Sequence, residues 1–266
     1  MERSPVQLVY GMRSFGQSCY ELPVTTGEAL FPPGFALAWG IAPASRRGPK
    51  PAHSVGRIVE AALALADEDG FSALSLPKIA SRVGFTTNAL YRYVSSKEEL
   101  LVLLADAAWG PAPESLSHDD WRDAATGWVH AALDRFRVHP WLLDLPVRGA
   151  PVTPNLLGWL EKLLDSMSKT GLPMPDILGC AVLLDGYARS VAKLARDLHE
   201  TTTPPVQSAA VASFLQPLLV ERGYPILASM MSGGQYEDDA ELPEADVEFG
   251  LTRILDGIDV QIRRCV

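Results

Sequence analysis

The chain has 266 residues, 47% of them hydrophobic, and a formal net charge of −9. That composition excludes wholesale disorder and suits one large domain or a small domain joined to a larger one. Three widely spaced cysteines, Cys19, Cys180 and Cys265, argue against a disulfide framework and read as free thiols of a reducing compartment, and no run offers the ~18 uninterrupted apolar residues of a membrane helix.

Residues 1 to 45 mix proline, glycine and scattered apolar residues without periodicity and read as an irregular N-terminal extension. The apolar run at 29–44 is broken by Pro32, Pro33 and Gly34 and preceded by Glu21 and Glu28, unlike a secretory signal. SRRGPKPAHS, residues 45–54, is a basic arm stiffened by proline, with Ser54 as a candidate helix cap. From Val55 the apolar positions Ile58, Val59, Ala62, Leu65 and Ala66 recur at helical spacing until Asp69, and Gly70 offers a C-terminal cap. A second short helix follows Ser75, with Leu76, Ile79, Ala80 and Val83 on one face, and stops at Gly84. A third is predicted over 87–93, capped by Thr86, and a fourth runs from Ser95 or Ser96 to about Trp109 with Glu98 and Glu99 at its positive end. Beyond Gly110, Pro111 and Pro113 the 3.6-residue period continues, predicting helices near 119–138, 140–146, 155–170, 175–199, 206–222 and 244–263. No strand-like alternation survives, so the fold class is all-α.

Charge is unevenly spread along this plan. Between residues 41 and 97, Arg46, Arg47, Lys50, Arg57, Lys78, Arg82, Arg92 and Lys97 outnumber Glu60, Asp67, Glu68 and Asp69, a net +4, while residues 98–266 carry −12. An acidic body repels polyanions, but a locally basic module can be presented to phosphate. A short helix, a glycine turn and a second short helix form the layout in which one helix braces another in the major groove.

The stretch IVEAALALADEDGFSALSLPKIASRVGFTTNALYRYVSSKEELL resembles the N-terminal DNA-binding domain of TetR-family transcriptional regulators. Its landmarks are Asp69-Gly70, Ile79-Ala80, Val83-Gly84, Leu90-Tyr91-Arg92-Tyr93-Val94 and Ser96-Lys97-Glu98-Glu99-Leu100. Carried over, the resemblance implies that Thr87 and Asn88 read bases, asparagine pairing with adenine and threonine meeting thymine. It implies phosphate contacts from Thr86, Tyr91, Arg92, Tyr93 and Lys97. Pro77 stands where the family often has a polar or basic residue, which leaves Lys78 as the nearest substitute contact from the bracing helix. Arg46, Arg47 and Lys50 resemble the basic arms that reach the minor groove in some members.

HPWLLDLPVRGAPVTPNLLGWLEKLLDSM, FLQPLLVERGYPIL and EFGLTRILDGIDVQI resemble the tetracycline-repressor branch of the same family in its C-terminal domain. The organisation implied is an extension at 1–45, a three-helix helix-turn-helix DNA-binding domain with its arm at 46–100, and a larger helical effector-binding and dimerisation domain at 101–266. Candidate liners of the effector pocket are Trp109, Trp128, Trp141, Met167 and Tyr187. Apolar stripes on the helices near 175–199 and 244–263 make Leu184, Val191, Leu251, Ile254 and Ile258 candidates for a symmetric homodimer seam, or ordinary core.

The function expected is a cytoplasmic, homodimeric repressor that binds a pseudo-palindromic double-stranded DNA operator and is released by a small, largely apolar effector. The alternatives are a transcriptional activator, or an all-α small-molecule-binding protein or enzyme that bears a helix-turn-helix. No nucleophile, P-loop or paired-carboxylate pattern points to catalysis, and no HExxH or CxxC spacing points to a metal or other cofactor.

Overall fold

The computed structural model describes residues 34–41, 52–116, 119–147, 149–199, 209–233 and 244–265, and every regular element among them is helical. The first, α1 (Phe35–Ala38), is entered through Gly34 in the left-handed region at φ 79°. A Cβ at Gly34 would meet the backbone oxygen of Glu99 at 2.9 Å, so glycine is what lets this turn lie against the chain there. Trp39 then donates from Nε1 to the Val152 carbonyl at 2.9 Å. Residues 34–41, expected to be irregular, are thus a docked strap, held by one close approach and one distant acceptor that local periodicity does not encode.

Helix α2 (Ala52–Asp69) begins before the predicted cap, so Ser54 lies inside it. Ile58, Val59, Ala62, Leu65 and Ala66 are buried where α2 packs on α3 (Leu76–Val83) and α5 (Lys97–Trp109). Between them α4 (Thr87–Leu90) is shorter than the predicted 87–93. At Arg92 and Tyr93 the amides bond three residues back, Arg92 N to Ala89 O at 3.2 Å and Tyr93 N to Leu90 O at 2.9 Å. That tightening accompanies full burial of Leu90 and Val94 in the head's core. Burying side chains of this size stabilises by roughly 1.5–3 kcal/mol each. Ser96 caps α5 by accepting from Glu99 N at 3.1 Å, while the Glu99 carboxylate reaches back to Ser95. The domain boundary drawn at residues 100/101 falls inside this continuous helix.

In the body, Asp120 caps α6 (Trp121–Val138), accepting from Arg122 N and Asp123 N at 2.8 and 3.1 Å. A 3₁₀ turn (Pro140–Asp144), α7 (Pro154–Ser168) and α8 (Met174–His199) follow. Trp109 meets Phe136 and Trp159 edge-on at 5.4 and 5.0 Å, and Trp128 meets Trp159 at 6.2 Å. Two polar joints tie head to body. Asp67 of α2 accepts from Trp141 Nε1 at 2.7 Å and contacts His139 Nδ1 at 2.8 Å. Asp106 of α5 accepts from the backbone N–H groups of Asn155 and Leu156 at 2.9 and 3.3 Å and from the Asn155 side-chain amide at 3.0 Å.

A second compact unit spans residues 190–254. It holds the end of α8, α9 (Ala209–Glu221), α10 (Pro225–Ser232) and the start of α11 (Glu244–Cys265). Helices α9 and α10 pack on each other, burying Ala212 and Ala228. The sequence reading missed α10 because Gly223-Tyr224-Pro225 reads as a breaker. Pro225 instead opens the helix, where its missing N–H costs nothing.

Candidate functional site

The head's site is built by its turn. Gly84 closes α3 in the left-handed region (φ 75°, ψ 27°), its amide returning to the carbonyls of Ala80 and Ser81. Thr86 Oγ1 accepts from Ala89 N at 3.2 Å and so sets the direction of α4. Asn88 is exposed and Thr87 half-buried at the open N-terminal end of α4, where no neighbouring element covers the asparagine amide. Thr86, Tyr91, Arg92 and Lys97 are also exposed. Tyr93 is half-buried because its ring stacks on Phe85 at 5.6 Å, and Lys97 Nζ lies 6.0 Å above the Phe71 ring.

The two cations of α3 are already engaged by the acidic end of α2. Lys78 pairs with Asp69 at 3.6 Å, and Arg82 donates twice to Glu68, at 2.6 and 2.5 Å. That hydrogen-bonded pairing holds the Glu68 carboxyl below its usual range and pushes the Arg82 guanidinium up. Sequence reasoning missed this clamp, since partners fourteen residues apart on different helices follow no local rule. Among the described residues, Arg92 and Lys97 pair with no carboxylate. The predicted arm residues Arg46, Arg47 and Lys50 lie outside the described residues.

The body encloses a largely apolar cavity of about 580 Å³. Its walls come from α5 (Glu98, Leu101, Val102, Ala105 and Trp109), from Trp128, from the segment between the 3₁₀ turn and α7, and from one face each of α7 and α8. Trp109 and Trp128 line it. Trp141, Met167 and Tyr187 do not, and each has a structural reason. The Trp141 indole turns to Asp67. Met167 is fully buried one turn beyond Leu163, the last α7 residue at the wall. On α8 the lining residues Leu178, Ala181, Val182, Asp185 and Arg189 share a helical face, and Tyr187 projects from another. Sequence reasoning also missed Trp159, whose Nε1 donates to Gly110 O at 3.0 Å, and the Arg189–Asp185 pair at 2.8 Å.

The predicted dimer stripe is mostly interior. Leu184, Leu251 and Ile258 are 0%, 1% and 4% exposed within the single chain, so they are core and have no surface left for a partner. Val191 and Ile254 are half-buried. Their neighbours Leu183 on α8 and Val260 on α11 are about half exposed. Periodicity located both helices and could not tell which of their apolar residues the single chain buries.

A braced short helix with an open polar N-terminus, joined by a single helix to a body around an apolar cavity, defines a helix-turn-helix DNA-binding protein with a small-molecule chamber. Residues 58–104 match the bacterial regulatory proteins of the tetR family, and residues 112–262 match the tetracyclin repressor-like C-terminal domain. The HTH-type transcriptional repressor DrrR1 of Streptomyces coeruleorubidus is 32% identical over 246 residues, covering 90% of this chain and 89% of its own. The HTH-type transcriptional repressor Rv1353c of Mycobacterium tuberculosis is 23% identical over 206 residues, 75% of this chain and 77% of its own. Apo ActR from Streptomyces coelicolor shares the fold with a TM-score of 0.64 at 22% identity, over 80% of this chain and 97% of ActR. ActR in complex with actinorhodin gives 0.60 at 22%, over 79% and 96%. The chain belongs to the TetR family of transcriptional regulators. Among the described residues no helix is long and apolar enough to cross a membrane.

Proposed function

We propose that the chain is a cytoplasmic, homodimeric repressor whose two heads occupy successive major-groove half-sites of an operator and which a small, largely apolar effector releases. The observation that carries this reading is the double role of α5. It leaves the recognition turn directly at Ser96, and its residues Glu98, Leu101, Val102, Ala105 and Trp109 form a wall of the cavity. A ligand that fits the cavity better in one position of α5 than in another shifts the head between positions, by no more than that difference in affinity. Half-sites of a dimeric reader lie about 34–36 Å apart, so a small change in head separation is enough to lose one of them.

Thr87 and Asn88 supply base contacts in this reading, and Thr86, Tyr91, Arg92, Tyr93, Lys97 and Lys78 hold phosphate. Exposed Leu183 and Val260 begin the partner surface on α8 and α11. The ActR structure in complex with actinorhodin supports reading the cavity as the place where a small molecule acts.

The test is fluorescence anisotropy on the DNA upstream of the protein's own gene against random duplex, across a salt series. Asn88→Ala should relax preference at one operator position by about 1–3 kcal/mol. Lys97→Ala should weaken both duplexes alike and reduce the salt slope by roughly one. Binding that shows no preference for the upstream DNA, or two variants with identical profiles, would refute the assignment.

A further inference from the structure

Asp185 and Arg189 stand one turn apart on the α8 face that lines the cavity, and a single bond joins them, from Arg189 Nε to Asp185 Oδ2 at 2.8 Å. Their side chains keep 25% and 28% of their surface accessible, so the pair is neither freely solvated nor sealed. Asp185 Oδ1 and the two terminal nitrogens of Arg189 have no partner among the described residues and remain reachable. The guanidinium also lies 5.2 Å above the ring of Phe136, which is buried against Trp109. A carboxylate on one edge and an aromatic ring beneath hold its plane, so its remaining N–H groups form a fork of set orientation.

The other polar side chains of the wall offer less. Glu98 is exposed to water. The indole N–H groups of Trp128 and Trp159 go to the carbonyls of Trp159 and Gly110. Thr153, the N-cap residue of α7, has a hydroxyl that is buried out of reach and makes no bond, because Pro154 has no N–H and Asp106 takes the amides of Asn155 and Leu156. The Trp109 indole N–H is unpaired among the described residues, but it is a donor only. Among these side chains, only the Asp185–Arg189 pair sets a reachable acceptor beside a reachable donor.

We propose that the Asp185–Arg189 pair is the polar anchor of the effector, Arg189 donating from its terminal nitrogens to a carbonyl while Asp185 Oδ1 accepts from an O–H or N–H beside that carbonyl. The effector this selects is uncharged. The pair is neutral as a whole, and a ligand bringing its own charge would leave one charge without a counterion in a largely apolar chamber. The inference rests on the reading of this cavity as the effector site.

The probes are pyrene-1-carboxamide, 1-acetylpyrene and pyrene-1-carboxylate, one tetracyclic frame carrying a donor with an acceptor, an acceptor alone, and a charge. Each is titrated into the full chain by quenching of tryptophan fluorescence. Wild type should bind the carboxamide roughly three- to tenfold more tightly than either of the others. The double variant Asp185→Leu, Arg189→Met leaves no charge unpaired and should bind the carboxamide and the acetyl probe within about twofold of each other. Asp185→Asn strips the guanidinium of its counterion and should reverse the order in favour of the carboxylate. Trp109→Phe should keep the wild-type order. These are ratios between probes on one protein, which a loss of stability does not imitate. Equal binding of carboxamide and acetyl probe by wild type, tightest binding of the carboxylate by wild type, or a carboxamide preference that survives the double variant or disappears in Trp109→Phe overturns the anchor. Failure of wild type to bind any of the three up to its solubility limit overturns the effector-cavity reading itself, and the anchor with it.

Discussion

Asp106 joins the helix that leaves the DNA-binding head to the helix that ends at the cavity, and removing it should expose the division of labour at that joint. Asp106→Ala deletes three acceptor interactions: with Asn155 N at 2.9 Å, with the Asn155 side-chain amide at 3.0 Å and, more weakly, with Leu156 N at 3.3 Å. Hydrogen bonds to a charged group contribute about 1.5–3 kcal/mol, but the carboxylate, 8% exposed, also loses its desolvation cost on deletion. A net destabilisation of about 2–3 kcal/mol is expected, or a fall in Tm of roughly 4–12 °C for a chain of this size. The sharper expectation is a coupling. With Asp106 gone, Thr153 is free to cap Leu156, so Thr153→Val should cost about 1 kcal/mol in the Asp106→Ala background while costing nothing in wild type. Urea unfolding of wild type, both single variants and the double variant at fixed protein concentration measures the cycle. Additivity within about 0.3 kcal/mol would refute the idea that Asp106 has displaced Thr153 from its cap.

The neighbouring leucines of α8 should separate core from partner surface. Leu184→Ala should lower stability by about 2–5 kcal/mol without changing oligomeric state, whereas Leu183→Glu should shift sedimentation toward monomer. Loss of the dimer from the first, or none from the second, would relocate the interface. The Arg82–Glu68 clamp predicts a direction with pH. Because Glu68 titrates below its usual value of 4.5 in the folded chain, its contribution is present above that value and is lost as pH falls through the lowered one. The stability difference between wild type and Glu68→Gln should therefore be level from pH 8 to about 5 and shrink in more acidic buffer, as followed by chemical denaturation. A difference that grows on acidification would contradict the sign. Cys180 should alkylate more slowly than exposed Cys265 at pH 8, since burial and then Asp176 push its thiol up, and peptide mass spectrometry after timed iodoacetamide exposure reads the ratio. Equal rates would place Cys180 at the surface.

What was legible in the amino-acid sequence is what short-range physics controls. The apolar period from Ile58 to Ala66, the glycine that must turn left-handed at residue 84, and the caps Thr86 and Ser96 are decided within a few residues of themselves, and they also place Asn88 at an open helix end. Periodicity likewise identified α8 and α11 as helices with an apolar face. It could not say that Leu184 faces inward and Leu183 outward, because both readings satisfy the same 3.6-residue repeat. Nor could it find the strap, the clamp or the cavity wall. Trp39 meets Val152 113 positions away, Arg82 meets Glu68 across a helix pair, and Trp141 leaves the cavity because Asp67 attracts its indole. Thr153 is the sharpest case. By local rules it is an ordinary helix cap, and only the arrival of Asp106 from 47 residues earlier takes that task away and leaves its hydroxyl buried without a hydrogen bond. Chain-local preferences determined the helices and the reading head, and the competition among distant polar groups for the same few amides decided the chamber.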